Sequence, residues 1–384
     1  MRCGCKWNRP RQCLKMAAGV IVLLASAGVL FAQRDAHQSA VDGNLSSNRF
    51  VTASAEVVPR RVTVAQLSDA VEKGRGETDE RAEKTVAHLE LVERLSSSRL
   101  ARLSAQMPGA KSKFALMAVG DASVFLEPPS SEVPDIQAPD ASAQRQIIAR
   151  AQDYLKTITP KLPDFYAKRI TSIFEEKWTT KEKEGTQSPG ALQFKGDFQS
   201  PVLYRRGKEM VRTNGTEQQG VVTRGTFGPV LSAVVPDNLR GPMQWHGWEE
   251  GPTGAMAVFE FQVSIKDSRY GVSFPMGGLP IERKTGYLGE IGIDPNTGTI
   301  QRLVLRSDPV LGFRAVEHAD IMLEYGPVVI GGKTYTCLLR GVSISRARFQ
   351  EPGIVRRDRA LILLNDVVFT DYHVFRSEMR IIPN

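Results

Sequence analysis

Cysteine is scarce in this 384-residue chain: there are four, and Cys3, Cys5 and Cys13 all fall in the opening segment. Cys337 is left alone in the body of the chain, so no internal disulfide can form there and a disulfide-stapled scaffold is excluded. Its surroundings, Tyr335-Thr336-Cys337-Leu338-Leu339, are those of a buried small hydrophobe rather than a reactive thiol. Long apolar runs are missing too. The one from Met16 to Ala32 falls short of the roughly 20 residues that a spanning helix needs. Catalytic signatures are absent: there is no G-x-S-x-G elbow and no H-E-x-x-H. Gly331-Gly332-Lys333-Thr334 lacks the earlier glycine of a phosphate loop and precedes a strand-like run, so it reads as a hairpin turn. No cofactor and no metal is expected on these grounds.

What is present begins with an address. Arg2, Lys6, Arg9, Arg11 and Lys15 precede the apolar run with no acidic residue among them. This is the pattern of a secretory signal peptide, residues 1–27, cleaved before Gly28 or alternatively before Gln33. No cysteine follows the run as a lipidation site would require. Removing the five basic residues takes the formal charge from +8 to 8 − 5 = +3, so the basicity belongs largely to the leader. That leaves no electrostatic footprint for nucleic acid. An exported chain of this size without disulfides fits a periplasmic or secreted protein of a bacterial envelope.

Residues 28–60 are polar and Ser/Asn-rich, and read as a disordered tether. A helical module follows over 61–162. Thr63 and Gln66 have capping-box spacing and open a helix burying Val64, Leu67 and Val71 up to Gly74. A second helix is expected from Thr78 or Asp79 to about Leu95, a short one after Ser96, another over 112–126, and a last one from Asp140 to before Pro160. The last helix places Ile147, Ile148, Ala151 and Leu155 on one face. From 163 to 384 the period changes to two, at Phe259, Phe261, Val263, Ile265 and again at Tyr287, Gly289, Ile291, Ile293. Further strands are expected over 167–178, 200–213, 319–330, 335–346 and 360–376, with one helical interruption at 229–239. The fold class is therefore α+β: an N-terminal helical module followed by a large curved antiparallel sheet.

Chemistry-bearing clusters are few. Trp245-His246-Gly247-Trp248-Glu249-Glu250 is the densest, with His246 or Glu249 as a conceivable general base and the tryptophans as a groove rim. His318/Asp320 and Asp371/His373 each share a strand face and would need adjacent strands to form a metal site.

The segments 290–300 (EIGIDPNTGTI) and 319–335 (ADIMLEYGPVVIGGKTY) look like those of an uncharacterised family of exported bacterial proteins. More distantly, they resemble the lipoprotein carriers and sigma regulators of the LolA-like and RseB-like half-barrels. That resemblance, over roughly 165–384, implies a curved sheet enclosing an apolar cavity that shields acyl chains, with no catalytic residue to carry over. The expected function is accordingly non-enzymatic: binding of a lipid or lipoprotein acyl chain by Trp245, Trp248, Phe259, Phe261, Val263, Tyr287, Ile291 and Ile293, with peripheral contact to membranes and an undefined oligomeric state. The alternatives are an envelope interaction or regulatory module with a packed core, and a hydrolase built on the tryptophan cluster.

Overall fold

The computed structural model describes residues 20–23, 59–158, 162–177, 179–180, 187–188, 191–206, 208–211, 222–223, 242–268, 270–276, 279–309, 314–350 and 358–375. The expected cleavage sites, most of the expected tether and the helix expected at 229–239 lie outside them. Val20–Leu23, within the apolar run of the expected leader, pairs in parallel with Tyr270–Ser273 in a small four-stranded sheet. Cleavage after Ala27 would remove that strand.

The helical module starts with β1 (Arg60–Val62), α1 (Val64–Lys73) and α2 (Asp79–Ala87). Thr63 Oγ1 accepts from the Gln66 amide while Gln66 Oε1 accepts from the Thr63 amide, which is the expected capping box. Val64, Leu67 and Val71 are buried and the helix stops at Gly74. The second helix is shorter than its pattern suggested. It ends at His88, and β2 (Leu89–Leu91) turns back to pair in parallel with β1. Leu91 is then buried while Val92 faces solvent, a period of two rather than 3.6. After β2 come α3 (Ser97–Ser104) and α4 (Ala110–Ala122), and the four helices share one core.

A linker carrying Pro128, Pro129, Pro134 and Pro139 leads to α5 (Ala141–Ile158). The Asp140 carboxylate caps α5 by accepting from the amides of Ser142 and Ala143. Although α5 falls inside the expected module, its buried residues join the sheet's core, not that of α1–α4.

The sheet is a meander of β3 (Phe165–Lys177), β4 (Gln193–Arg205), β5 (Lys208–Val211), β6 (Met243–Gly251), β7 (Gly254–Val263), β8 (Tyr287–Ile293), β9 (Ile300–Ser307), β10 (Arg314–Ile330), β11 (Lys333–Gln350) and β12 (Asp358–Val374). Spatial order is β6-β7-β8-β9-β10-β11-β12-β3-β4-β5, every neighbouring pair antiparallel. The chain is thus α+β, with its helices preceding a large, open, curved sheet. Hairpins form where the turn residues placed them, at 294–299 and at Gly331-Gly332, where Ile330 pairs with Lys333. Ile265 departs from the expected alternation. The strand ends at Val263, the Ser264 carbonyl accepts from Asp267 and Ser268, and Ile265 is left exposed on the turn.

Both faces of the sheet are covered. The inner face carries the largest apolar cluster, to which α5 contributes Ile147 and Ala151. The outer face receives α4 and the turn after it: Ala118 and Val124 pack with Phe174, Val304, Met322, Val342 and Leu364, and Phe114 stacks on Phe194 with ring centres 3.6 Å apart.

Candidate functional site

Strand register decides which of the apolar residues meet. Phe259 pairs with Ile291, Phe261 with Gly289 and Val263 with Tyr287 across β7 and β8, and Trp245 pairs with Phe259 across β6 and β7. The period of two therefore gathers all eight expected ligand residues on or beside one face. Gly289 is where the Phe261 ring lies; a Cβ there would sit 2.2 Å from it. Trp245 meets Phe259 edge-on at 5.4 Å and Trp248 at 5.1 Å. The six residues on β7 and β8 are at most 7% exposed, and the two tryptophans are half-buried at the margin. The cavity described below is on the other face.

Part of the cover is α5. Ile147 and Ala151 are buried in the inner cluster, with Ile148 and Leu155 packed against it. The helix is latched by the 294–299 turn. Gly298, with φ of +75°, approaches so closely that a Cβ would sit 2.4 Å from the Arg150 carbonyl carbon, and Arg150 Nη1 donates to the Pro295 carbonyl at 2.8 Å. Asp294 organises the turn by accepting from the amides of Asn296 and Thr297 and from Thr253 Oγ1. Burial works against its charge, but these bonds outweigh it and hold its pKa below the usual carboxylate range.

The aromatic and ionisable cluster on β6 is a clamp. His246 lies between Glu127, 3.1 Å from Nε2, and Glu260, 3.0 Å from Nδ1. Burial disfavours its charge, yet Glu127 and Glu260 outweigh that and raise its pKa. Trp248 Nε1 donates to the Gln137 carbonyl, so β6 grips the proline-bearing linker at two points. Glu249 is held by Arg94 at 2.5 Å and Arg302 at 2.7 Å, and the two guanidiniums depress its pKa against the opposing effect of burial. A carboxylate so neutralised is a weak proton acceptor. His318 and His373 do not meet, because β11 separates their strands. Among the described residues no group of three His, Cys, Asp or Glu could hold a metal, and no helix is long and apolar enough to cross a membrane. Cys337 is buried, and burial pushes its thiol up to about 12.

Sequence reasoning passed over the ion pairs at the seam between the helical module and the outer face. Arg302 bridges Glu249 and Glu290, and Arg306 also pairs with Glu290, at 2.6 Å. Arg340 of β11 joins Asp121 of α4 to Asp366 of β12, and donates to Ser97 Oγ, which in turn donates to Glu324. The signal available was Arg302 and Arg306 flanking the apolar run Leu303-Val304-Leu305 within one strand. No family model, curated protein or solved structure matches the chain.

Proposed function

We propose that the chain is an exported, non-enzymatic binding protein whose inner sheet face receives an apolar chain, such as the acyl group of a lipid or lipoprotein, when α5 is displaced. The observation that carries this reading is the make-up of the inner cluster. Among the described residues, strands and their connections supply nearly all of it, and Ile147 and Ala151 are the only fully buried members from a helix. One amphipathic helix held by so few side chains is a replaceable cover. Burying Ile147, Ile148, Ala151 and Leu155 stabilises its docked position by roughly 5 kcal/mol, at about 0.8 kcal/mol per methylene and with two of the four only partly covered. An acyl chain that buries about ten methylenes would contribute roughly 8 kcal/mol, enough to take the place of the helix. Trp245 and Trp248, half-buried beside Phe259, then stand where the chain would enter.

The test is uptake of pyrene-labelled hexadecanoate by the parent and by Ile147→Asp, a change on the cover that leaves the sheet intact. Uptake by the parent, tighter in the variant, supports the reading. No uptake by either, with both folded, moves the assignment to a packed interaction or regulatory module, which the burial of Phe259, Ile291 and Ile293 would then explain directly. Export is tested separately: intact mass of envelope-fraction protein should begin at Gly28 or Gln33, and a retained Met1 would replace the exported form with an anchored one.

A further inference from the structure

The outer face of the sheet holds a cavity of about 410 Å³ where it meets the helical module, within the range of small-molecule sites. We propose that this cavity binds a small amphiphilic cation: a primary ammonium carried on an apolar chain or ring. It shares only Tyr325 with the inner apolar cluster, so it is independent of the acyl-chain reading. Its roof is the segment from Arg94 to Ser98 that leads into α3, and its floor includes Met256 and Met322, whose unbranched thioethers adapt to a guest of irregular shape. Leu95, Val124 and Leu339 add to the apolar lining.

The charges lining the cavity decide the class of guest. Arg94 and Arg302 face four carboxylates, Glu132, Glu249, Glu250 and Glu324. Both guanidiniums are committed to Glu249, at 2.5 and 2.7 Å, and Glu132 is paired with Arg99 at 2.6 Å. Glu324 accepts from Ser97 Oγ, while the nearby Arg340 is shared between Asp121 and Asp366. Glu250 is exposed at the margin, and no cation among the described residues pairs with it. The cavity therefore has surplus negative charge and no uncommitted cation in its described lining. Apolar walls focus that field on the space between them. A carboxylate or phosphate headgroup would be repelled by Glu250 and Glu324, whereas an ammonium finds acceptors there and its apolar body finds the methionine floor.

The test is calorimetric titration of the purified full chain with n-octylammonium, n-octanoate and 1-octanol, three probes that differ only in the head group. Octylammonium should saturate one site at least about tenfold more tightly than octanoate. Glu250→Gln should weaken it about fivefold, and Ser98→Trp, on an exposed roof residue, should block it. Ile147→Asp should leave it unchanged, which separates this site from the inner face. The proposal is overturned if the parent does not bind octylammonium, if octanoate binds equally well, or if neither Glu250→Gln nor Ser98→Trp alters binding.

Discussion

Replacing Gly298 with alanine probes the latch on α5 at its tightest point. The substitution has two separable costs. At φ of +75° an L side chain is strained by roughly 1–2 kcal/mol. The new methyl would also lie 2.4 Å from the Arg150 carbonyl carbon and oxygen and 2.8 Å from the Ala151 amide nitrogen. These are backbone atoms of a helix, so no rotamer change relieves the overlap and α5 must move outward by about 1 Å to restore ordinary contact. Ile147 and Ala151 then lose part of their packing, adding roughly 1–2 kcal/mol. The total is about 2–4 kcal/mol, close to the roughly 5 kcal/mol that holds the helix down. Urea denaturation reads the sum, and hydrogen exchange over 141–158 reads the local part, since α5 amides should lose protection before those of β8. Gly332→Ala is the control: its φ is +81° and nothing lies within 4 Å of the added carbon, so it carries strain without overlap. On the proposed function, Gly298→Ala should also raise the apparent affinity for pyrene-hexadecanoate, because a larger fraction of molecules is already open. Equal cost for the two alanine variants, together with unchanged α5 protection, would refute the reasoning.

Glu249→Leu leaves Arg94 and Arg302 facing each other beneath the helical module and should destabilise the fold by about 3–5 kcal/mol, read as a shift in urea midpoint; a neutral result would deny that the seam is closed to water. Burial, reinforced by Asp366, holds the Asp121 carboxyl well above its usual range despite Arg340. A raised carboxyl pKa means that folding takes up a proton, so this group's contribution is largest in acid and falls as the pH rises from the unfolded value through the folded one. Asp121→Asn should therefore gain stability relative to the parent as the pH rises above the unfolded value of about 4, and a difference that stays constant with pH would contradict the assignment. The Cys337 thiol, pushed up to about 12 by burial, should resist a thiol-specific aromatic disulfide reagent in the folded protein and react fully in denaturant. Rapid labelling without denaturant would show that β11 opens locally.

What the sequence discloses here follows the range of the interaction concerned. The Thr63–Gln66 capping box is local, and both of its bonds form as the spacing dictates. β2 was hidden inside an apparent helix because its partner, Arg60–Val62, lies some thirty residues earlier, and helical spacing at Val86, Leu89 and Val92 carries no trace of that pairing. The inner row from Trp245 to Ile293 was legible because side chains alternate on any strand. The cover over it was not, since the same alternation serves a filled face and an open one. The seam is the extreme case: Asp121, Arg340 and Asp366 come from three elements far apart in the chain, and each alone reads as a solvated charge. One element did announce the second layer. In β9 the residues Leu303-Val304-Leu305 are apolar on both faces, a pattern that a sheet with one wet side does not favour. The flanking Arg302 and Arg306 share the outer face with Val304. A buried valine between two arginines requires both apolar cover and carboxylates on that face, and α4 together with Glu249 and Glu290 meets both requirements.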